Sequence, residues 1–269
     1  MSERLTNALQ AMRTSGRTGV IPYVTMGFPT VADTLAIVPA LEAAGATVIE
    51  LGVPYSDPLA EGPTIQEASL EALKEGVNMG GCIGIVRELR DAGVTVPLIF
   101  MGYYNPVLNY GLARYAQECA DAGVDGFIIV DLPVDEAGPF HDAVRAAGLA
   151  LVPLLAPTST DERIAAGCAS ADGFVYCVSV AGVTGARSSL PTTLGTFIDR
   201  VRTQTSLPLV VGFGVSERAH VEAIGELADA AVVGSALINV IKSAPAGERA
   251  SQAGAYIAQL VGNGALGVA

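Results

Sequence analysis

Three carboxylates gather around the end of one apolar run. Glu50 lies inside Val48-Ile-Glu-Leu-Gly-Val53, and Asp57 and Glu61 follow on the segment Pro54-Tyr-Ser-Asp-Pro-Leu-Ala-Glu-Gly-Pro63. Burying an ionised carboxylate without partners costs several kcal/mol or forces it to take up a proton. A glutamate inside such a run is therefore a candidate for acid-base chemistry. Pro54, Pro58 and Pro63 remove backbone donors and fix φ, so the segment that presents Asp57 and Glu61 reads as a stiff loop. Histidine is a poor rival as the base. There are only His141 and His220, and both sit in charged, helical-looking segments, which places them on surface helices. Cys82, Cys119, Cys168 and Cys177 show neither metal-ligand spacing nor the density of a disulfide framework. They read as reduced core thiols of a cytoplasmic protein, and no metal site is expected.

Positioning these groups requires a scaffold, and its pattern is legible. Eight short β-rich runs recur with helical segments between them: 19–25, 46–51, 96–101, 126–130, 150–154, 173–178, 207–212 and 230–233. Several intervening segments close on glycine, at Gly45, Gly93, Gly123 and Gly148, where a left-handed residue ends a helix. Pro39 falls inside the first of them and should kink it. With an amphipathic N-terminal extension over residues 2 to 15 and no polar linker, the pattern predicts an α/β fold. It is a single (β/α)8 TIM barrel spanning 1–269, with an extra N-terminal helix. An open doubly wound sheet is the rival, but the turn after the first strand, Gly27-Phe-Pro-Thr30, lacks the Gly-x-Gly-x-x-Gly fingerprint. Barrel active sites form at the C-terminal ends of the strands, where Glu50, Asp57 and Glu61 would then stand.

Two junctions suit an anion. The seventh strand ends in Val211-Gly-Phe-Gly-Val215 and the eighth in Val233-Gly-Ser-Ala236 as a helix opens. Glycine allows close approach of a backbone N–H, Ser235 can cap the helix, and the helix N-terminus adds partial positive charge. Gly214, Gly234 and Ser235 are thus candidate phosphate contacts at the strands where this barrel class often binds phosphate. The segment Ala181-Gly-Val-Thr-Gly-Ala-Arg-Ser-Ser-Leu-Pro191 after the sixth strand has the composition of a lid, with Thr184 between two glycines.

Composition limits the partners. The formal net charge is −12, which argues against nucleic acid and anionic membrane surfaces. Mean hydropathy is +0.46, yet the longest uncharged stretch, 94–113, is broken by Pro97, Gly102, Asn105, Pro106, Asn109 and Gly111. No spanning helix is expected there. The chain opens Met-Ser-Glu-Arg without an apolar run, so neither a signal nor a transit peptide is expected.

Taken in order, the run Glu50-Leu-Gly-Val-Pro-Tyr-Ser-Asp-Pro-Leu-Ala-Glu-Gly62 resembles the signature of the tryptophan synthase alpha chain family. So do Pro22-Tyr-Val-Thr-Met-Gly27, Tyr103-Tyr-Asn-Pro106, Asp131-Leu-Pro133, Ser179 with Gly182-Val-Thr-Gly185, Gly212-Phe-Gly214 and Gly234-Ser235. The resemblance covers almost the whole chain. It implies a lyase that cleaves indole-3-glycerol phosphate to indole and glyceraldehyde 3-phosphate without a metal or organic cofactor. Glu50 is then the acid-base group, Glu61 holds the indole N–H, and Tyr176, also at a strand end, positions the substrate. Thr184, Gly185, Gly214, Gly234 and Ser235 line the substrate and phosphate site. The resemblance also implies a pyridoxal-phosphate-dependent beta chain as partner in an alpha-beta-beta-alpha tetramer, with Asp57 communicating across the contact. A loop carboxylate capping its own turn is the alternative for Asp57. Three positions depart from the common pattern: Glu61 is more often aspartate, Val180 arginine and Phe28 aspartate. Two rival functions remain: a catalytically weak activator of the beta chain, and another phosphate-binding barrel such as an isomerase.

Overall fold

The computed structural model describes residues 2–178, 193–212 and 214–262. Its strands are β1 (Gly19–Thr25), β2 (Ile49–Gly52), β3 (Leu98–Gly102), β4 (Gly126–Ile129), β5 (Ala150–Val152), β6 (Leu154–Leu155), β7 (Val175–Val178), β8 (Leu209–Gly212) and β9 (Ala230–Val233). The helices are α1 (Glu3–Ser15), α2 (Val31–Ala43), α3 (Pro63–Lys74), α4 (Met79–Asp91), α5 (Tyr104–Tyr110) and α6 (Leu112–Ala122). They continue with α7 (Gly138–Ala146), α8 (Asp161–Ser170), α9 (Thr193–Arg202), α10 (Arg218–Gly225), α11 (Ser235–Ser243) and α12 (Arg249–Val261). All strand pairs are parallel, in the order β5-β4-β3-β2-β1-β9-β8-β7-β6. The two ends of that order are separated only by Pro153, so the sheet closes on itself as a TIM barrel. The expected fifth strand is split there because proline has no N–H for the ladder. Its carbonyl still accepts from Tyr176 N at 3.1 Å.

Several strands begin two or three residues later than the apolar runs suggest, at Ile49, Leu98, Val175 and Leu209. The glycines expected to end helices have positive φ at Gly45, Gly93, Gly123 and Gly148. Pro39 lies within α2, which continues on both sides of it.

Alternation along the strands sorts the core into two layers. Outward residues such as Val24, Leu51, Phe100 and Phe127 pack under the helices. Inward residues Ile21, Val48, Ile99, Ile128, Val152, Val210 and Val232 meet in the barrel, joined by Leu5, Leu9 and Met12 of α1. Their i, i+4, i+7 spacing puts these three on one helix face, so α1 plugs the N-terminal mouth. Room for the plug comes from missing side chains: a Cβ on Gly19 would lie 2.5 Å from Met12 Sδ, and one on Gly173 2.9 Å from Leu5 Cδ2.

A buried carboxylate locks the same end. Asp125 is fully buried just before β4. It accepts from Arg90 Nη2 at 2.7 Å, Arg4 Nε at 3.0 Å and Leu98 N at 2.8 Å, and from the Ser2 hydroxyl. Arg90 spends its other donors on the Gly123, Val94 and Val96 carbonyls. Removing one partner of such a network leaves a charge buried without compensation, at about 3–5 kcal/mol. Asp125→Ala should lower stability by about that amount in urea unfolding; a loss under about 1 kcal/mol would contradict the assignment.

Candidate active site

Period two along β2 turns Glu50 to the same side as Val48, into the barrel, at the C-terminal end of the strands. The side chain has no accessible surface, and neither Oε1 nor Oε2 has a hydrogen-bond partner among the described residues. Burial holds its pKa well above the usual carboxylate range, and the charge on Glu61 raises it further. Glu61 enters from the loop after β2 and is 5% exposed. Burial pushes its pKa up to about 7. Glu61 therefore ionises first, and its charge then opposes ionisation of Glu50. Two carboxyls whose environments separate their titrations form an acid-base pair near neutrality.

The loop carrying Glu61 is fixed at several points. Its backbone N–H donates to Pro58 O at 3.0 Å and its carbonyl accepts from Gln66 Nε2 at 3.0 Å. The neighbouring Ala60 N–H donates to the Tyr103 hydroxyl at 3.0 Å. Tyr103 in turn stacks on Tyr55, centroids 5.0 Å apart. Asp131 receives the Tyr104 N–H at 2.7 Å, tying the loop after β4 to α5.

Two tyrosines complete the wall. Tyr176 is buried, and it feels the charges of Glu50 and Glu61. Tyr23, in the run Pro22–Gly27 but with no role expected of it, does the same from β1. Their placement is parallel. Tyr23 pairs with Glu50 in register, and its hydroxyl leans forward to within 2.1 Å of where a Gly52 Cβ would sit. Tyr176 pairs with Val210 and leans to within 2.3 Å of a Gly212 Cβ position. Each glycine is thus the space its neighbour's phenol occupies. Inward alternation after Ile21 would have marked Tyr23, but no local pattern marks Gly52. Burial and the carboxylate charges hold both phenols in the protonated form.

At the end expected to hold phosphate, β9 runs directly into α11. Gly234 is the N-cap and Ser235 the first helical residue, so Ser235 does not cap the helix as its type suggested. Gly234 offers no side-chain cap, and among the described residues no side-chain hydrogen bond reaches the first-turn N–H groups, which suits an anion there. Gly214 follows β8, the strand paired with β9. Thr184 and Gly185, with Ser179 and Val180, lie outside the described residues.

Other expectations change. His220 is buried on α10, not on the surface, and His141 is half-buried with Nε2 3.1 Å from Asp172 Oδ2. Phe28 is buried in the core, an apolar anchor for the loop after β1. Asp57 is exposed, and no hydrogen bond to its carboxylate is found among the described residues. The Asp57 carbonyl, not its side chain, closes the turn by accepting from Leu59 N at 2.9 Å, which removes the capping alternative. The four cysteines are free and buried. No described helix is long and apolar enough to cross a membrane, and no three metal-ligand side chains cluster among the described residues.

The raised carboxyls have a consequence for stability. Between about pH 4.5 and 7 the folded chain keeps a proton on Glu61 that the unfolded chain has released, so stability falls as pH rises through that window. The shift corresponds to about 3 kcal/mol. The stability difference between Glu61→Gln and the native protein should therefore move in favour of the variant by about 3 kcal/mol from pH 4 to pH 8. A difference independent of pH would show that Glu61 is not buried as described.

These features meet a consistent set of relatives. The family model described as tryptophan synthase alpha chain matches residues 9–263. The tryptophan synthase alpha chain of Roseiflexus sp. (strain RS-1) is 52% identical, with 96% of this chain and 99% of that protein covered. The structure of tryptophan synthase subunit alpha from Legionella pneumophila superposes with a TM-score of 0.90 at 34% identity, covering 97% of this chain and 98% of that one. A chain of the tryptophan synthase complex from Pyrococcus furiosus gives a TM-score of 0.84 at 37% identity, covering 91% and 98%. With matches of this extent and identity, the chain belongs to the tryptophan synthase alpha chain family.

Proposed function

We propose that this chain, a lyase of tryptophan biosynthesis by its family, cleaves indole-3-glycerol phosphate to indole and glyceraldehyde 3-phosphate, with Glu50 and Glu61 as its acid-base pair. One observation carries the assignment: Glu50 is fully buried at the C-terminal end of the barrel strands, and neither oxygen has a partner among the described residues. A buried carboxyl without protein partners is costly unless a ligand supplies them.

The reaction then divides between the two groups. Protonated Glu50 delivers its proton to indole C3, while ionised Glu61 accepts the indole N–H and stabilises positive character on nitrogen. Glu50, now a carboxylate, takes the proton from the adjacent side-chain hydroxyl. The C–C bond breaks as the new aldehyde forms, and its electrons return to the ring, releasing indole with Glu50 reprotonated. Tyr23 and Tyr176 wall the site beside Glu50. The open N–H groups at Gly234 and Ser235, with Gly214, and with Thr184 and Gly185 in the family pattern, bind the phosphate. Each step is a proton transfer to or from a carboxyl or the C–C cleavage that those transfers enable, so the proposal invokes no metal or organic cofactor in this chain.

The partner is a pyridoxal-phosphate-dependent beta chain, in an alpha-beta-beta-alpha assembly in the cytoplasm. Its contact is the face carrying exposed Asp57, where Leu59 and Leu108 stand 75% and 54% exposed. Such apolar residues, on the loop after β2 and on α5 after β3, suit a protein surface. The net charge of −12 opposes nucleic acid or an anionic membrane in that place.

Indole release from indole-3-glycerol phosphate, with and without a beta chain, tests this. Glu50→Gln should lower kcat by about 10²–10⁴-fold, and full activity in that variant would remove Glu50 from the mechanism. Native kcat/KM should rise through pH about 7 as Glu61 ionises. Asp57→Ala should keep the turnover of the isolated chain and lose stimulation by the partner. Unaltered stimulation would leave Asp57 without a role. A chain that stimulates the beta reaction without turning over substrate would be an activator instead.

A further inference from the structure

Ser216 ends the loop after β8, two residues beyond Gly214 and just before the α10 N-cap Glu217. Both of its backbone groups are held. Its N–H donates to His220 Nδ1 at 3.3 Å, and its carbonyl accepts from the Tyr256 hydroxyl of α12 at 2.8 Å. We propose that His220 and Tyr256 are positioning residues for the phosphate subsite, bracing Ser216 so that the Gly214 N–H is held toward the anion. This rests on the reading of Gly214 as a phosphate contact.

The chemistry of the two side chains suits the task. Nδ1 can accept only when the ring proton is on Nε2. Glu217 Oε1 lies 3.2 Å from Nε2, off the line of a hydrogen bond, and its negative charge favours that tautomer. Burial pushes the Tyr256 hydroxyl up to about 12, so it remains a donor. The support behind them is firm. Arg218 Nη1 donates to Leu260 O at 2.8 Å, tying α10 to α12, and α12 packs along α2, where Gly254 lets the Ala40 carbonyl approach.

The brace matters because of the glycines beside it. Gly212 and Gly214 give the segment backbone freedom that must be lost before a phosphate oxygen can be held. Fixing Ser216 removes part of that loss before substrate arrives. The brace touches neither the carboxyl pair nor the bond that breaks, and the phosphate's charge does not change in the reaction, so the proposal takes its contribution as uniform binding of ground and transition states. The effect should therefore appear in KM and not in kcat.

The test compares native protein, His220→Leu, His220→Asn and Tyr256→Phe in indole-3-glycerol phosphate cleavage, with glycerol 3-phosphate and inorganic phosphate as competitors. His220→Leu and Tyr256→Phe should each raise KM and the glycerol 3-phosphate inhibition constant by about three- to tenfold, the loss of one hydrogen bond, with kcat within about twofold. His220→Asn, whose amide oxygen can accept the Ser216 N–H, should return both constants toward native values. Native-like constants in His220→Leu and Tyr256→Phe, or losses that fall on kcat, overturn the brace. Failure of Asn to rescue overturns the part assigned to His220. Native protein that cleaves substrate but is not inhibited by either phosphate overturns the subsite reading and the brace with it.

Discussion

A carboxylic acid kept out of water, with no hydrogen bond among the described residues, sets the terms for this molecule. Glu50 occupies the inside of a closed parallel barrel, where an ionised carboxylate would be strongly disfavoured and a protonated one still lacks partners. Both states are tolerable only because the surrounding shell is stiff and well packed. The destabilised state is also the useful one. A proton held on Glu50 while Glu61 titrates near 7 is available for transfer under ordinary conditions.

The shell that tolerates this is built from both ends. At the N-terminal mouth, α1 fills the barrel with Leu5, Leu9 and Met12, and Asp125 with Arg90 and Arg4 ties the helix to the strand starts. The charged groups there are paired and hydrogen-bonded, the opposite of Glu50. At the C-terminal mouth the packing is aromatic. Tyr23 and Tyr176 lean across Gly52 and Gly212, so each strand end gives up a side chain to make room for a neighbour's ring. Stability is concentrated on one face and unsatisfied polarity on the other, as expected of a fold whose active sites form at one mouth.

The proposed phosphate subsite follows a different logic, since the chain is acidic overall. Attraction for an anion cannot come from the net field and must come from local dipoles, as at the uncapped N-terminus of α11. Dipoles act over short distances, so the backbone that carries them has to be held in place. That requirement would give buried His220 on α10 and half-buried Tyr256 on α12 a function although neither touches the ligand.

What the sequence determined by itself was periodic or local. Eight apolar runs with helices between them, glycines at helix ends and an amphipathic N-terminus specify a barrel, because each signal is read within one turn or one strand. Glu50 was visible because charge in an apolar run is a local contradiction, and Glu61 because three prolines stiffen its loop. Only the tertiary structure decided the rest. It places Tyr23 beside Glu50 through the register of β1 and β2, and it makes Gly52 and Gly212 necessary through rings from other strands. It buries His220 on α10 and leaves Asp57 exposed. Each of these depends on residues far apart in the chain, and their contacts follow from how the barrel closes, which no window of sequence contains.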